Sequence, residues 1–144
     1  MFEDFVDEQR FMTDYAREHH QPREVNDFTE LADTLYWVKK DTLKAFYEAG
    51  GGHLITLGTD HPFWGEFISG FYIHREMQAM TRAGLPEHAV LQIATRNNAH
   101  AIGKGGHLGT VEPGKWADLV VVEGNPLEDI TDTRNVIKVM QAGR

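Results

Sequence analysis

Apolar residues recur along this chain at two different periods, and the change from one to the other lays out its elements. Phe2, Phe5, Val6, Met12 and Tyr15 fall at spacings that fit one helical face over residues 1 to about 20. His19-His20-Gln21-Pro22 ends that helix, because proline disfavours the helical conformation in the residue before it. Leu31, Leu35, Val38, Thr42 and Ala45 then repeat at helical spacing up to Gly50-Gly51-Gly52, and Asp27 with Glu30 reads as a capping box at the start. Past the glycines comes a short leucine-rich and β-branched run, His53-Leu54-Ile55-Thr56-Leu57, closed by Gly58-Thr59-Asp60. Such a run predicts a buried parallel strand that delivers Asp60 from its C-terminal end, where open sheets and barrels keep their chemistry.

The stretch from His61 to Gly70 reads as a loop, and its aromatics Phe63, Trp64 and Phe67 either plug a core or wall a pocket. Ile73, Met77 and Met80 predict a helix from Ile73 to Ala83, ended by Gly84 as a left-handed cap. Pro86 suits the first turn of another helix running through Val90 and Ile93 to about Thr95, and a short turn, Asn98 to Ile102, stops at Gly103. The pattern then becomes β-prone. Leu108-Gly109-Thr110-Val111 and Ala117 to Val122 flank Glu112-Pro113-Gly114-Lys115, a turn between two strand-like runs, and Val136 to Met140 reads as a final strand. Residues 1–104 thus form one part and 105–144 a small β unit. Two or three strands are marginal alone, so this unit is expected to pair with strands from elsewhere.

Composition narrows the function classes. The acidic balance, net charge −8, argues against nucleic-acid binding, which needs a basic surface. The absence of cysteine removes disulfides, thiolate metal sites and a cysteine nucleophile together. No apolar run approaches the roughly 20 residues that span a bilayer, so no membrane partner is expected. Met1-Phe2-Glu3-Asp4 carries acid where a signal peptide carries base, which leaves the cytoplasm as the default compartment.

Five landmarks occur in order between Leu43 and Gly143: Gly58-Thr59-Asp60; His74-Arg75-Glu76-Met77 leading to Ala83-Gly84-Leu85-Pro86; Ala94-Thr95-Arg96-Asn97; Leu108 to Val121; and Asn125-Pro126-Leu127-Glu128-Asp129-Ile130. Together they resemble the C-terminal portion of the metal-dependent amidohydrolase superfamily, nearest its imidazolonepropionase-like and prolidase-like members. The resemblance implies an α/β fold: the C-terminal part of a (β/α)8 barrel followed by strands of a small β domain. In that frame His53 to Gly58 is the eighth barrel strand, Leu31 to Gly50 the helix before it, and Ile73 to Ala83 the helix after it. A complete barrel takes roughly 250 residues, so one of 144 is not whole.

The resemblance further implies hydrolysis of amide and related C–N bonds in small, often cyclic, substrates, with one or two divalent metals, commonly zinc. Asp60 corresponds to the eighth-strand aspartate, which binds metal or accepts the proton of a metal-held water whose pKa the ion brings to about 7. The bland reading of Asp60 is a carboxylate that caps a loop or a helix start. His61 lines the site as a substrate-binding residue or simply bonds its own loop. His74, the other candidate substrate-binding residue, bonds the loop bearing Asp60 or caps and packs. The asparagine of the Ala-Thr-x-Asn segment, Asn97 or Asn98, reads as a helix cap.

The superfamily's His-x-His metal pair is missing from this sequence, and His19-His20 cannot replace it, since neighbours on a strand point to opposite faces. A catalytic zinc takes about three protein ligands, so this chain alone is expected to bind metal poorly and to be inactive. Its expected partner is the missing barrel portion or another chain. Two other readings stay open: a non-catalytic chain that associates through exposed strand edges and apolar helix faces, and an unrelated small α/β binding module.

Overall fold

The computed structural model describes residues 13–19, 27–60 and 70–144. Most of the helix predicted near the N-terminus, the break at His20–Pro22, the aromatic loop with His61, and the side chains of Asp27 and Glu30 lie outside the described residues. Helix α1 spans Asp14–His19 and α2 spans Asp27–Glu48. The stripe that the repeat assigns to the core of α2 is turned outward. Leu31, Leu35 and Val38 are 54%, 47% and 57% exposed, and Thr42 and Ala45 are exposed with them. Tyr36, Lys40, Leu43 and Tyr47 form the inner stripe instead, with Leu43 and Tyr47 against the core. A helix with two apolar stripes satisfies the same periodicity twice, and only its neighbours decide which one is buried.

Gly50, at φ +91°, closes α2, and Gly51–Leu54 coil into a 3-10 turn. Gly51 lies under the ring of Phe46, where a Cβ would overlap it. This turn takes His53 and Leu54 out of the predicted strand, leaving Ile55–Leu57 as its extended remainder. The period of two survives, with Ile55 and Leu57 buried and Thr56 and Gly58 exposed. No strand pairs with this segment among the described residues, so it is an extended segment and not a sheet member.

Helix α3, Tyr72–Arg82, lies one residue earlier than the apolar spacing predicts. Gly84 at φ +99° ends it, with the Leu85 amide donating to the Met80 carbonyl at 3.2 Å, so the chain turns sharply enough to bury Leu85. Pro86 is extended and sits immediately before α4, Glu87–Gln92, not inside its first turn. That helix widens into a π turn over Ile93–Asn97 and continues as α5, Asn98–Ala101. The core gathers Ile55, Leu57, Met77, Met80, Ala83, Leu85, Val90 and Ile93 and draws Ile130 in from beyond residue 105. Val90 and Ile93 are sealed from solvent, which stabilises the fold by roughly 1.5–3 kcal/mol for each such side chain.

Leu108 to Val111 forms no strand, contrary to the β-prone pattern. Gly109, at φ +93°, presses its backbone onto α5 and the π turn, where a Cβ would stand 2.7 Å from that of Ala99. The run is therefore pinned to a helix and cannot extend beside Ala117 to Val122. The Pro113-Gly114 turn is closed by the Lys115 amide donating to the Glu112 carbonyl at 3.2 Å, beyond it the Trp116 amide donates to the His107 carbonyl at 2.9 Å, and His107 stacks on Trp116. Strand β1, Leu119–Val122, pairs antiparallel with β2, Val136–Met140, in the register Leu119↔Met140 and Val120↔Val139, with an irregularity between Val121 and Val122. Both faces of this ribbon remain apolar and open: Val120, Val121, Ile137 and Val139 are all at least half exposed. A 3-10 turn at Ile130–Arg134 joins the ribbon to α3, with Ile130 buried below and Arg134 donating to Gln78 at 2.8 Å. No helix among the described residues is long and apolar enough to cross a membrane.

Candidate functional site

Among the described residues, the segment leading to Asp60 is held in place by side chains and not by neighbouring strands. Asn98 accepts from the Leu57 amide through Oδ1 at 2.8 Å and donates from Nδ2 to the Leu57 carbonyl at 2.9 Å. Asn97 donates from Nδ2 to the Gly52 and Ile55 carbonyls, each at 2.9 Å, and its Oδ1 receives the Arg96 Nε–H at 3.4 Å. These asparagines are not helix caps. They lie within a continuous helical stretch, and α5 begins without any side-chain cap bond. The π turn explains how two neighbours reach one target. An i→i+5 turn is wider than an α turn, so successive residues rotate less about the axis and adjacent side chains emerge closer together.

Beyond the clamp the chain leaves the core. Asp60 is exposed and adopts φ +56°, a left-handed conformation that costs an L-residue roughly 1–2 kcal/mol and that aspartate tolerates better than most. Thr59 beside it lines a cavity of about 580 Å³ that opens between α2 and α3. Tyr36, Lys39, Ile55, Arg75 and Glu76 contribute to its wall. Burial pushes the Glu76 carboxyl above the usual carboxylate range, and the Lys39 ammonium partly opposes that rise. Neither Glu76 nor Lys39 carries a sequence signal of its own, although Glu76 stands inside the His74-Arg75-Glu76 landmark. Its burial depends on α2 crossing over it, which no local pattern records.

His74 is engaged on the side of α3 that meets the 3-10 turn Ile130–Arg134. Its Nδ1 lies 3.0 Å from the Thr133 hydroxyl, and that hydroxyl donates its only hydrogen to the Ile130 carbonyl at 2.7 Å. Nδ1 is therefore the donor, which fixes the neutral tautomer as the Nδ1–H form. Burial first, and then the Arg134 guanidinium, lower the His74 pKa below the ordinary histidine value. His61 lies outside the described residues. Among the described residues no group of three histidine, aspartate or glutamate side chains could hold a metal ion. One exposed carboxylate falls short of the ligand set of a catalytic metal, so the described residues do not by themselves fit such an ion.

Residues 17–144 match the amidohydrolase family. The chain belongs to that family. It is 31% identical over 98 residues to the N-substituted formamide deformylase of Arthrobacter pascens, covering 62% of this chain and 18% of that protein. Over 46 residues it is 41% identical to the 5-methylthioadenosine/S-adenosylhomocysteine deaminase of Teredinibacter turnerae, covering 32% of this chain and 10% of that one. Among solved structures it is similar to a Xaa-Pro dipeptidase with methionine bound in its active site, at 35% identity and a TM-score of 0.63. That likeness covers 72% of this chain and 24% of the dipeptidase. The chain thus spans about a quarter or less of the relatives it matches. Amidohydrolases are built on a TIM-barrel-type fold and are generally metal-dependent.

Proposed function

We propose that this amidohydrolase chain supplies the last-strand carboxylate, Asp60, to a hydrolytic centre that cleaves C–N bonds in small molecules. In this reading residues 1–104 are the end of a barrel and residues 105–144 are strands of a small β domain. The observation that carries it is the placement of Asp60: an exposed carboxylate in a left-handed conformation at the end of a clamped extended segment, next to Thr59, which lines a cavity. The activities named for the relatives, deformylation, deamination and dipeptide cleavage, share the hydrolysis of a C–N bond, which supports a small amide or cyclic amide as substrate. The other groups of the centre, including the ligands of a divalent metal, come from polypeptide beyond this chain. A hydrolytic carboxylate in such a centre acts by taking a proton from water or by ligation.

The exposed apolar stripe Leu31, Leu35 and Val38 and the two open faces of the ribbon support association with that further polypeptide. They serve equally a non-catalytic chain that joins another through its strand edges. A chimera separates the two readings: residues 17–144 replace the matching quarter or so of the Xaa-Pro dipeptidase. The expected result is hydrolysis of dipeptides, N-substituted formamides or cyclic amides, with none from the dipeptidase lacking that quarter. A folded, metal-loaded chimera that hydrolyses none of these classes contradicts the enzymatic reading.

A further inference from the structure

We infer that Asn98, supported by Asn97, is a positioning residue for Asp60: its amide holds both backbone groups of Leu57 and so sets the register of the segment ending in that carboxylate. This rests on the proposed role of Asp60 and extends it to residues 38 and 37 positions further along the chain.

In a parallel sheet the N–H and C=O of one residue point to the same side and pair with one neighbouring strand. Both groups of Leu57 point to Asn98, and a primary amide offers an acceptor oxygen and a donor NH₂ in one plane, the same pair a peptide offers. Asn97 adds a donor two residues upstream, on the Ile55 carbonyl, and also reaches Gly52. It is 6% exposed, so water does not compete for these bonds, and loosening them would strand buried polar groups.

The clamp is rigid at its base. Ile93, which opens the π turn, is 1% exposed in the middle of the core, so both amides project from an anchored element. From Leu57 only Gly58 and Thr59 intervene before Asp60, and Asp60 holds a backbone conformation it would not adopt freely. A π turn gives up helical regularity, and here that irregularity delivers two adjacent amides to one side. Simple packing would need no such pair, since Ile55 and Leu57 already bury their side chains.

The test is NMR on the full chain without metal, comparing wild type with Asn98→Ala and Asn98→Asp. Three readouts are followed: exchange of the Leu57 amide, exchange of the Val90 amide as a gauge of global opening, and the H^N–Hα coupling of Asp60, which reports its φ. Asn98→Ala is expected to speed Leu57 exchange about tenfold beyond any change at Val90 and to shift the Asp60 coupling. Asn98→Asp keeps the acceptor and loses the donor, so Leu57 stays protected while the Asp60 coupling shifts less than in the alanine variant.

An unchanged Leu57 amide in Asn98→Ala overturns the clamp. A faster Leu57 amide with an unchanged Asp60 coupling overturns the positioning role and leaves a purely structural one. Where Asn98→Ala opens globally, an unchanged Asp60 coupling in Asn98→Asp overturns the proposal and a shifted one upholds it. None of these readouts depends on turnover. Loss of the catalytic reading of Asp60 would show only in the chimera assay, so the two failures are distinguishable.

Discussion

The segment ending at Asp60 and the ribbon of β1 and β2 face the same physical problem, a short extended stretch with few strands to pair with, and they meet it differently. Ile55–Leu57 has no strand partner among the described residues, yet Ile55 and Leu57 bury their side chains, and their carbonyls and the Leu57 amide are taken by Asn97 and Asn98. The ribbon has its ladder but leaves valines and isoleucine exposed on both faces. One region is tied down on one edge by side chains, and the other leaves its faces open. The side that bears Asp60 is the clamped one, and the side open to solvent is suited to assembly.

Variants that break the clamp's foundation should have the largest effect on the chain. Ile93→Ala removes a sealed side chain from under the π turn, and urea unfolding should show a loss of about 2–5 kcal/mol. A loss below half a kilocalorie would mean the core does not anchor the turn. Asn97→Ala leaves the Gly52 and Ile55 carbonyls without this donor and should cost about 1–3 kcal/mol in the same assay.

The link between the two regions should respond to pH. His74 has a lowered folded-state pKa, so the unfolded chain binds its proton first as pH falls. The contribution of His74 is full above the ordinary histidine value of about 6.5 and is lost as pH drops through that value toward the lower folded one. The difference in stability between wild type and His74→Gln should therefore shrink from pH 7.5 to pH 5.5, and a difference that stays constant would contradict the lowering of the His74 pKa by burial and Arg134. The smallest effect belongs to the ribbon. Val139→Thr should change the stability of this chain by less than about 0.5 kcal/mol, because the side chain is 63% exposed. A larger change would show that the ribbon is already covered in solution.

Local signals made part of this legible. The helix after the site, its Gly84 stop and the short helix before Gly103 follow from apolar spacing and glycine placement, and the apolar run closing in Gly58-Thr59-Asp60 put the carboxylate at the end of an extended segment. What escaped was decided at a distance. Asparagine at a helix boundary suggests a cap, and nothing near Asn98 in sequence reveals a partner 41 residues away at Leu57. The outer stripe of α2 looks like a core stripe because a single helix cannot declare which neighbour it meets. Leu108 to Val111 reads as β by composition, but the close approach of Gly109 to α5 removes the freedom to extend.

Asp60→Asn in the dipeptidase chimera tests the central claim most directly, with Asp118→Asn, on an exposed carboxylate of the β unit, as the control. Loss of a carboxylate that handles a proton or a ligand should lower kcat about a hundredfold or more, with Asp118→Asn unchanged. A folded Asp60→Asn chimera that turns over as fast as its parent would show that this carboxylate takes no part in the chemistry.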